Sequence, residues 1–296
     1  MPVGLLLLVA GACSSGDDSR DEATATTRRT TTTTVPVTTT ALVPAQPAND
    51  PVALTEQLLA AETRIGSAST PLTDLPALGH AQQVAYRQLV AHPEWMDHVR
   101  SRLPDDVRTL MEAHVAAGAA LRSLVTDLKD APPTDWVIVE PEPAATLLRY
   151  YKDAEVRTGI PAPYLASVHL VETRMGRIRG TSTAGAKGPM QFLDSTWARH
   201  GTDGDGDGVA DIENPHDAIL TAAHYLRAAG GPADMARALF AYNHAQAYVD
   251  AVTTYARHMA ADERRFYAYH GWQVYYATTR GDVLLPVGYG RTQAEQ

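Results

Sequence analysis

Cysteine is almost absent from this chain of 296 residues, in which Cys13 is the only one. A single cysteine excludes an intramolecular disulfide, so packing must stabilise the fold. If Cys13 is modified or removed on processing, the rest of the protein carries no free thiol. We therefore expect an exported chain that depends on its core rather than on covalent cross-links.

The chain opens on an apolar stretch that is too short to span a bilayer. Residues 2–12 read PVGLLLLVAGA and end in small residues directly before Cys13. This pattern resembles a bacterial lipoprotein signal, so we expect residues 1–13 to be that signal and Cys13 to be lipidated. The lipid would anchor the protein to the outer face of the cytoplasmic membrane or the cell envelope. A plain secretory signal and a short buried segment are the alternatives.

An excess of basic residues is also lacking. Lys and Arg number 25 against 34 Asp and Glu, which gives a formal net charge of −9. This balance excludes a nucleic-acid partner as the expected function.

Apolar side chains are sparse between residues 14 and 49, where threonine dominates in TATTRRTTTTTVPVTTTALVPAQP. Such a segment cannot bury enough apolar surface to offset its chain entropy, so the composition predicts a disordered tether. A coil of this length spans roughly 30–35 Å.

Residues 50–141 have helical patterns at about 78–91, 95–103 and 105–129. They contain four histidines without metal-ligand spacing, namely His80, His92, His98 and His114. We predict an accessory helical layer without catalytic residues. The segment Trp136 to Val139 is either a linker or an edge strand.

One carboxylate stands beside an apolar helical stripe. Pro161 and Pro163 suit the first turn of a helix that should run to about Met175, before Gly176 stops it. Glu172 lies at the border of the apolar face of this helix. It is either a solvated residue paired with a nearby arginine, Arg174 or Arg177, or a buried general acid whose pKa is raised by burial.

An aspartate-rich loop follows at residues 203–211, with the sequence DGDGDGVAD. Its alternating oxygen ligands and central glycine match most of a calcium-binding EF-hand loop, and the candidate ligands are Asp203, Asp205, Asp207, Val209 and Asp211. The usual closing glutamate is missing, because Asn214 takes its place. Either Glu213 or Asn214 supplies the last ligand, or a lengthened loop uses Asp217, which also suits a helix N-cap box. An acidic turn without a metal, or one with sodium or magnesium, is the alternative.

Four ordered motifs resemble those of the lytic transglycosylases, and most closely the membrane-bound B type. They are Glu172-Thr173-Arg174-Met175-Gly176, Gly185-Ala186-Lys187-Gly188-Pro189-Met190-Gln191-Phe192, Ser195-Thr196-Trp197 and Ala241-Tyr242-Asn243. The resemblance covers about residues 147–259. It implies a mainly α fold with a lysozyme-like helical catalytic domain at 142–260, which acts on the glycan strands of peptidoglycan.

The resemblance also implies roles for single residues. Glu172 would be the only catalytic carboxylate, and the substrate-binding residues would be Gln191, Tyr225, Tyr242 and Asn243. Gln191 offers both a donor and an acceptor to an N-acetyl group. Met190 and Tyr225 are also explained by core packing, and Asn243 by a helix C-cap. The family favours Asp217 as the last ligand of a structural Ca²⁺. From Gly188-Pro189 we expect a new helix.

The implied reaction uses one acid. Glu172 protonates the bond between N-acetylmuramic acid and N-acetylglucosamine and then takes the proton of the muramyl 6-hydroxyl, which closes a 1,6-anhydro ring. A second carboxylate, which ordinary glycosidases need, is not found between Tyr164 and Gln191; Asp194 is the more distant alternative. A hydrolytic muramidase and a non-catalytic wall-binding lipoprotein remain the competing functions.

The extension at 261–296 is rich in aromatic residues, and QVYYATT and DVLLPVG flank Arg280-Gly281. This spacing predicts a small hairpin. The aromatic side chains either line a sugar-binding surface or seal the domain by packing on its hydrophobic core.

Overall fold

The computed structural model describes residues 45–290, and this part of the chain is mainly helical. Its α-helices are α1 Pro51–Gly66, α2 Leu75–Ala91, α3 Met96–Arg100, α4 Asp105–Ser123, α5 Ala144–Thr158, α6 Ala162–Thr173, α7 Asp194–His200, α8 Pro215–Ala228, α9 Met235–Tyr242, α10 Gln246–Ala261 and α11 Arg264–His270. The mainly α prediction is confirmed. The predicted signal, the tether up to residue 44 and Cys13 lie outside the described residues.

Two short antiparallel pairs supply the strands of the described chain, and only the second is a hairpin. β1 (Val137–Ile138) pairs with β2 (Ile178–Arg179), and β3 (Val274–Thr278) pairs with β4 (Gly281–Leu285). The edge-strand interpretation of 136–139 and the C-terminal hairpin are therefore confirmed. Both strand pairs share one apolar cluster, in which Trp136 packs edge-on against Tyr276.

The core is centred on α6. Ten of its twelve residues are buried, because α5 covers one side of this helix and α10 another. A helix that is apolar nearly all round belongs inside a protein. The aromatic side chains of the C-terminal extension complete this core through Phe266, Tyr269 and Trp272, which favours the sealing role for them.

The helices before residue 130 pack directly on those that follow. α4 lies along α10, and α2 lies along α11. At the second contact the backbones are so close that a Cβ on Gly79 would lie 1.8 Å from the carbonyl oxygen of Ala268. Only glycine allows this approach. The division into an accessory region at 50–141 and a catalytic domain at 142–260 stays a prediction.

Three boundaries differ from those predicted. α4 ends at Ser123 instead of near 129, and α6 ends at Thr173 instead of Met175. The predicted helix from Gly188-Pro189 is wrong, because α7 begins only at Asp194. No helix in the described part of the chain is both long and apolar enough to cross a membrane.

Candidate active site

Glu172 lies in the last turn of α6 and is 1% exposed, so the solvated interpretation of this residue is wrong. The hydroxyl of Tyr248 on α10 donates a hydrogen bond of 2.8 Å to its Oε1. Burial, followed by the nearby Glu172, raises the pKa of Tyr248 well above its usual value, so this phenol keeps its proton and remains a donor. The two arginines predicted as partners have other contacts: Arg177 pairs with Glu140, and Arg174 donates to the carbonyl oxygen of Leu170.

A left-handed turn follows the Glu172 helix. Arg174, Met175 and Gly176 all have positive φ, at 55°, 58° and 85°. Non-glycine residues in this region cost of order 1–3 kcal/mol each, and such strain clusters at functional sites. Thr173 stabilises the turn, since its hydroxyl donates to Pro189 O at 2.6 Å and accepts from Gly176 N at 3.0 Å. The helix that carries Glu172 is thus tied to the segment that carries Gln191.

Residues 187–192 form a tight turn in place of the predicted helix. Lys187 and Phe192 exchange backbone hydrogen bonds, and Gln191 has a φ of 53°. Gly188 is needed here, because a Cβ at this position would lie 2.0 Å from Ile212 O. The Gln191 side chain is fully buried and donates to Gly188 O, while its Oε1 has no hydrogen-bond partner among the described residues. That oxygen is a buried acceptor available for a donor.

Tyr242, at the end of α9, connects these parts. Its hydroxyl donates to Met190 O at 2.7 Å, and its ring lies parallel to that of Tyr248 and edge-on to that of Tyr225. Tyr242 is wholly buried, whereas Tyr225 is half-buried and lines a depression of about 240 Å³ with Ser195, Thr196, Arg199 and His200. The structure therefore brings Glu172, Gln191, Tyr225 and Tyr242 into one connected region.

Asn243 follows Tyr242 as the C-cap of α9, and it is 8% exposed. The C-cap interpretation is confirmed, and its contact with substrate stays a prediction. Sequence reasoning missed Tyr248 as the partner of Glu172. Its position on the apolar stripe of α10 is what any core tyrosine would show, so no signal in the sequence distinguished it.

The aspartate-rich loop gathers three of the predicted metal ligands. Carboxylate oxygens of Asp203, Asp205 and Asp217 lie within 4.8 Å of one another. Asp217 is buried at the start of α8 and accepts backbone N–H groups from Gly204 and Asp211, each at 2.8 Å. Backbone hydrogen bonds from Gly208 and Gly206 hold the pKa of Asp203 below its ordinary value. Hard oxygen donors in this arrangement suit a divalent cation such as calcium.

The other predicted ligands lie outside this cluster. Asp207 accepts from Val209 N, and Asp211 accepts from Glu213 N. Asn214 is the N-cap of α8, and its amide donates to Asp205. Glu213 pairs with Arg179. Of the proposed closures, Asp217 is the one that the structure groups with Asp203.

A comparison with known protein families covers two of the four motifs, those at 185–192 and 195–197. The pattern of the Transglycosylase SLT domain family matches residues 179–234. A comparison with curated proteins gave no significant match.

Two solved structures show weak similarity. The Escherichia coli lytic transglycosylase Slt35 in complex with bulgecin A is 17% identical, over 60% of this chain and 93% of the other, with a TM-score of 0.36. The same enzyme in complex with calcium is also 17% identical, over 72% of this chain and 94% of the other, with a TM-score of 0.36. The family match covers the turn that carries Gln191, the aspartate-rich loop and α8, and it begins after Glu172.

Proposed function

We propose that this protein is a lytic transglycosylase that cleaves the glycan strands of peptidoglycan in cell-wall remodelling. The observation that carries the proposal is the buried Glu172 carboxyl, held by Tyr248 and followed by the segment that matches the transglycosylase family. A carboxyl that is shielded from bulk water and fixed by a neighbouring phenol suits a general acid, because its position relative to the substrate is set.

The proposed reaction runs through one carboxyl group. Glu172 donates its proton to the glycosidic oxygen, and the bond from that oxygen to C1 of N-acetylmuramic acid breaks. The acetamido group of the same sugar stabilises the positive charge at C1. The carboxylate then takes the proton of the 6-hydroxyl as O6 bonds to C1, so a 1,6-anhydro ring forms and no water is consumed.

Two observations favour this route over one with two carboxylates. Asp194, the alternative second carboxylate, is exposed and pairs with Lys187 at 2.8 Å. The free Oε1 of Gln191 supplies a buried acceptor for an N-acetyl N–H, which would position the acetamido group.

Digestion of purified peptidoglycan tests the reaction. We expect the released muropeptides, measured by mass spectrometry, to be one water lighter than reducing-end products, because the 6-hydroxyl replaces water as the nucleophile. Reducing-end products would show a hydrolytic muramidase, and tight binding without cleavage would show a wall-binding protein.

We also propose that Asp203, Asp205 and Asp217 hold a structural Ca²⁺, with Asp207, Val209 and Asp211 as further ligands from the same loop. The ion would fix the connection between α7 and α8. It would supply no step of the reaction.

Calcium at about a hundred times its dissociation constant is expected to stabilise the protein by about 2.7 kcal/mol and to raise the melting temperature by about 5–10 °C. Differential scanning calorimetry with and without a chelator measures this shift. Asp217→Asn should abolish the response, whereas Asp250→Asn, at an exposed position of α10 away from the loop, should retain it. An equal response in both variants, or an equal response to magnesium, would contradict the site.

Export and lipidation at Cys13 complete the proposal. A lipid anchor followed by the Thr-rich segment would hold the enzyme at the membrane while it reaches the wall. Because the chain is acidic and the wall is anionic, binding would come from local contacts rather than from net charge.

A further inference from the structure

A second cavity lies between α2, α4, α10 and the β3–β4 hairpin. Its volume is about 480 Å³, within the range of sites for small organic ligands. Much of its wall is apolar or aromatic, and includes Val84, Val90, Leu121, Val125, Tyr255 and Trp272. None of Glu172, Gln191, Tyr225 and Asn243 lines it, so it is separate from the site assigned to the reaction.

The cavity is positively charged in an acidic protein. Three arginines line it, Arg87, Arg122 and Arg174, against one carboxylate, Asp282. Asp282 pairs with Arg87 and, at 2.9 Å, with Arg122. These two arginines are therefore already neutralised in part, and Arg174 carries the remaining charge.

Arg174 has no acidic partner in the part of the chain that the structure describes. One of its five N–H donors bonds to Leu170 O at 2.6 Å. Burial lowers the pKa of Arg174 to about 10, so the group stays charged at neutral pH although its surroundings disfavour the charge. A partly buried guanidinium with unused donors beside an open cavity is expected to bind an anion.

We propose that this cavity binds a small amphiphilic carboxylate. The carboxylate would pair with the planar fork of Arg174, and the apolar part would lie against Trp272, Tyr255 and Leu121. A single unpaired guanidinium matches the single charge of a carboxylate better than the double charge of a phosphate. The apolar walls require a ligand with an apolar body.

Two sources share this chemistry. One is a peptide stem of the wall, which rests on the proposed function and fits the position of Arg174 two residues after Glu172. The other is a free fatty acid, which does not depend on that function.

Isothermal titration calorimetry with the full chain tests the proposal. The probes are a stem tripeptide with free carboxylates, the same tripeptide fully amidated, decanoate and decanol. We expect at least one carboxylate probe to bind, and its uncharged counterpart to bind at least tenfold more weakly. Binding of the tripeptide assigns the wall as the source, and binding of decanoate alone assigns a free amphiphile.

Variants separate the cavity from the reaction. Arg174→Gln should weaken binding at least tenfold, and Gly118→Leu should do the same by filling the cavity, because a side chain there starts 3.4 Å from Val90. The control Arg149→Gln, at an exposed position of α5, should bind like the parent. Glu172→Gln should also bind normally, so loss of the reaction leaves this result intact. No carboxylate binding by the folded parent, or unchanged binding by Arg174→Gln, would overturn the proposal.

Discussion

Replacing Glu172 by glutamine is expected to reduce the rate of peptidoglycan cleavage by about 10²–10⁴-fold, since this is the usual contribution of a general acid. The exchange removes the proton that the leaving oxygen needs and changes little else. Glutamine has nearly the same shape, and its side-chain oxygen can still accept the hydrogen bond that Tyr248 donates to Glu172. Release of soluble muropeptides, measured against time for both proteins, gives the ratio of rates.

The matched control is Asp194→Asn, which tests the alternative second carboxylate. Asp194 is exposed and pairs with Lys187 on the surface, so we expect this variant to retain at least half of the parent's rate. Melting temperatures of all three proteins show whether a lost rate reflects a lost fold. If Glu172→Gln stays folded and keeps its activity, the assignment of the acid is wrong; if Asp194→Asn is inactive, a mechanism with two carboxylates replaces the proposed one.

Local features of this fold could be predicted from the sequence. The helix that carries Glu172 can be predicted from Pro161, Pro163 and the spacing of its apolar residues. The loop at 203–211 can be predicted from its candidate ligands on alternate residues. The C-terminal hairpin follows from β-branched and aromatic runs around Arg280-Gly281. In each case the residues that determine the structure are close neighbours in the chain.

Features that depend on distant contacts could not be predicted. Gly188-Pro189 reads as a helix start, but Gly188 packs against the backbone of Ile212 and the segment forms a turn instead. The partner of Glu172 is Tyr248, 76 residues further along the chain. The sequence predicts Arg174 as a possible ion-pair partner of Glu172, whereas the structure places it beside a cavity formed by α2, α4, α10 and the β3–β4 hairpin.

A buried ion pair links α1 to α11, and its loss is expected to destabilise the fold by about 3–5 kcal/mol. Glu62 on α1 pairs with Arg265 on α11, 203 residues later, and both side chains are buried. Gln82 and Tyr86 also donate to Glu62. Arg265→Met removes the compensating charge and leaves a buried carboxylate.

The pH dependence of the stability difference between the parent and Arg265→Met shows whether charge or packing causes the loss. Burial alone would raise the pKa of Glu62, but the Arg265 guanidinium and the hydrogen bonds bring it below its ordinary value. A lowered pKa in the folded state stabilises the parent above the unfolded-state pKa, and this contribution is lost as the pH falls through the folded-state value. Without Arg265 the pKa shift of Glu62 changes sign, because burial then raises this pKa and disfavours the charged carboxylate. The difference between parent and variant should therefore be largest at neutral pH and shrink as Glu62 becomes protonated.

Urea unfolding at neutral pH, and again below the ordinary pKa of a carboxyl group, measures this difference. The exposed pair of Lys152 and Glu263 provides the matched control, and Lys152→Met should cost less than about 1 kcal/mol at either pH. Adding Glu62→Gln to Arg265→Met removes the unpaired charge and should recover part of the lost stability. A loss that is the same at both pH values, or a double variant no more stable than the single one, would show that Arg265 acts through packing rather than charge. In that case the contact between α1 and α11 would depend on the aliphatic stem of Arg265, and the buried carboxylate would be neutral in the parent as well.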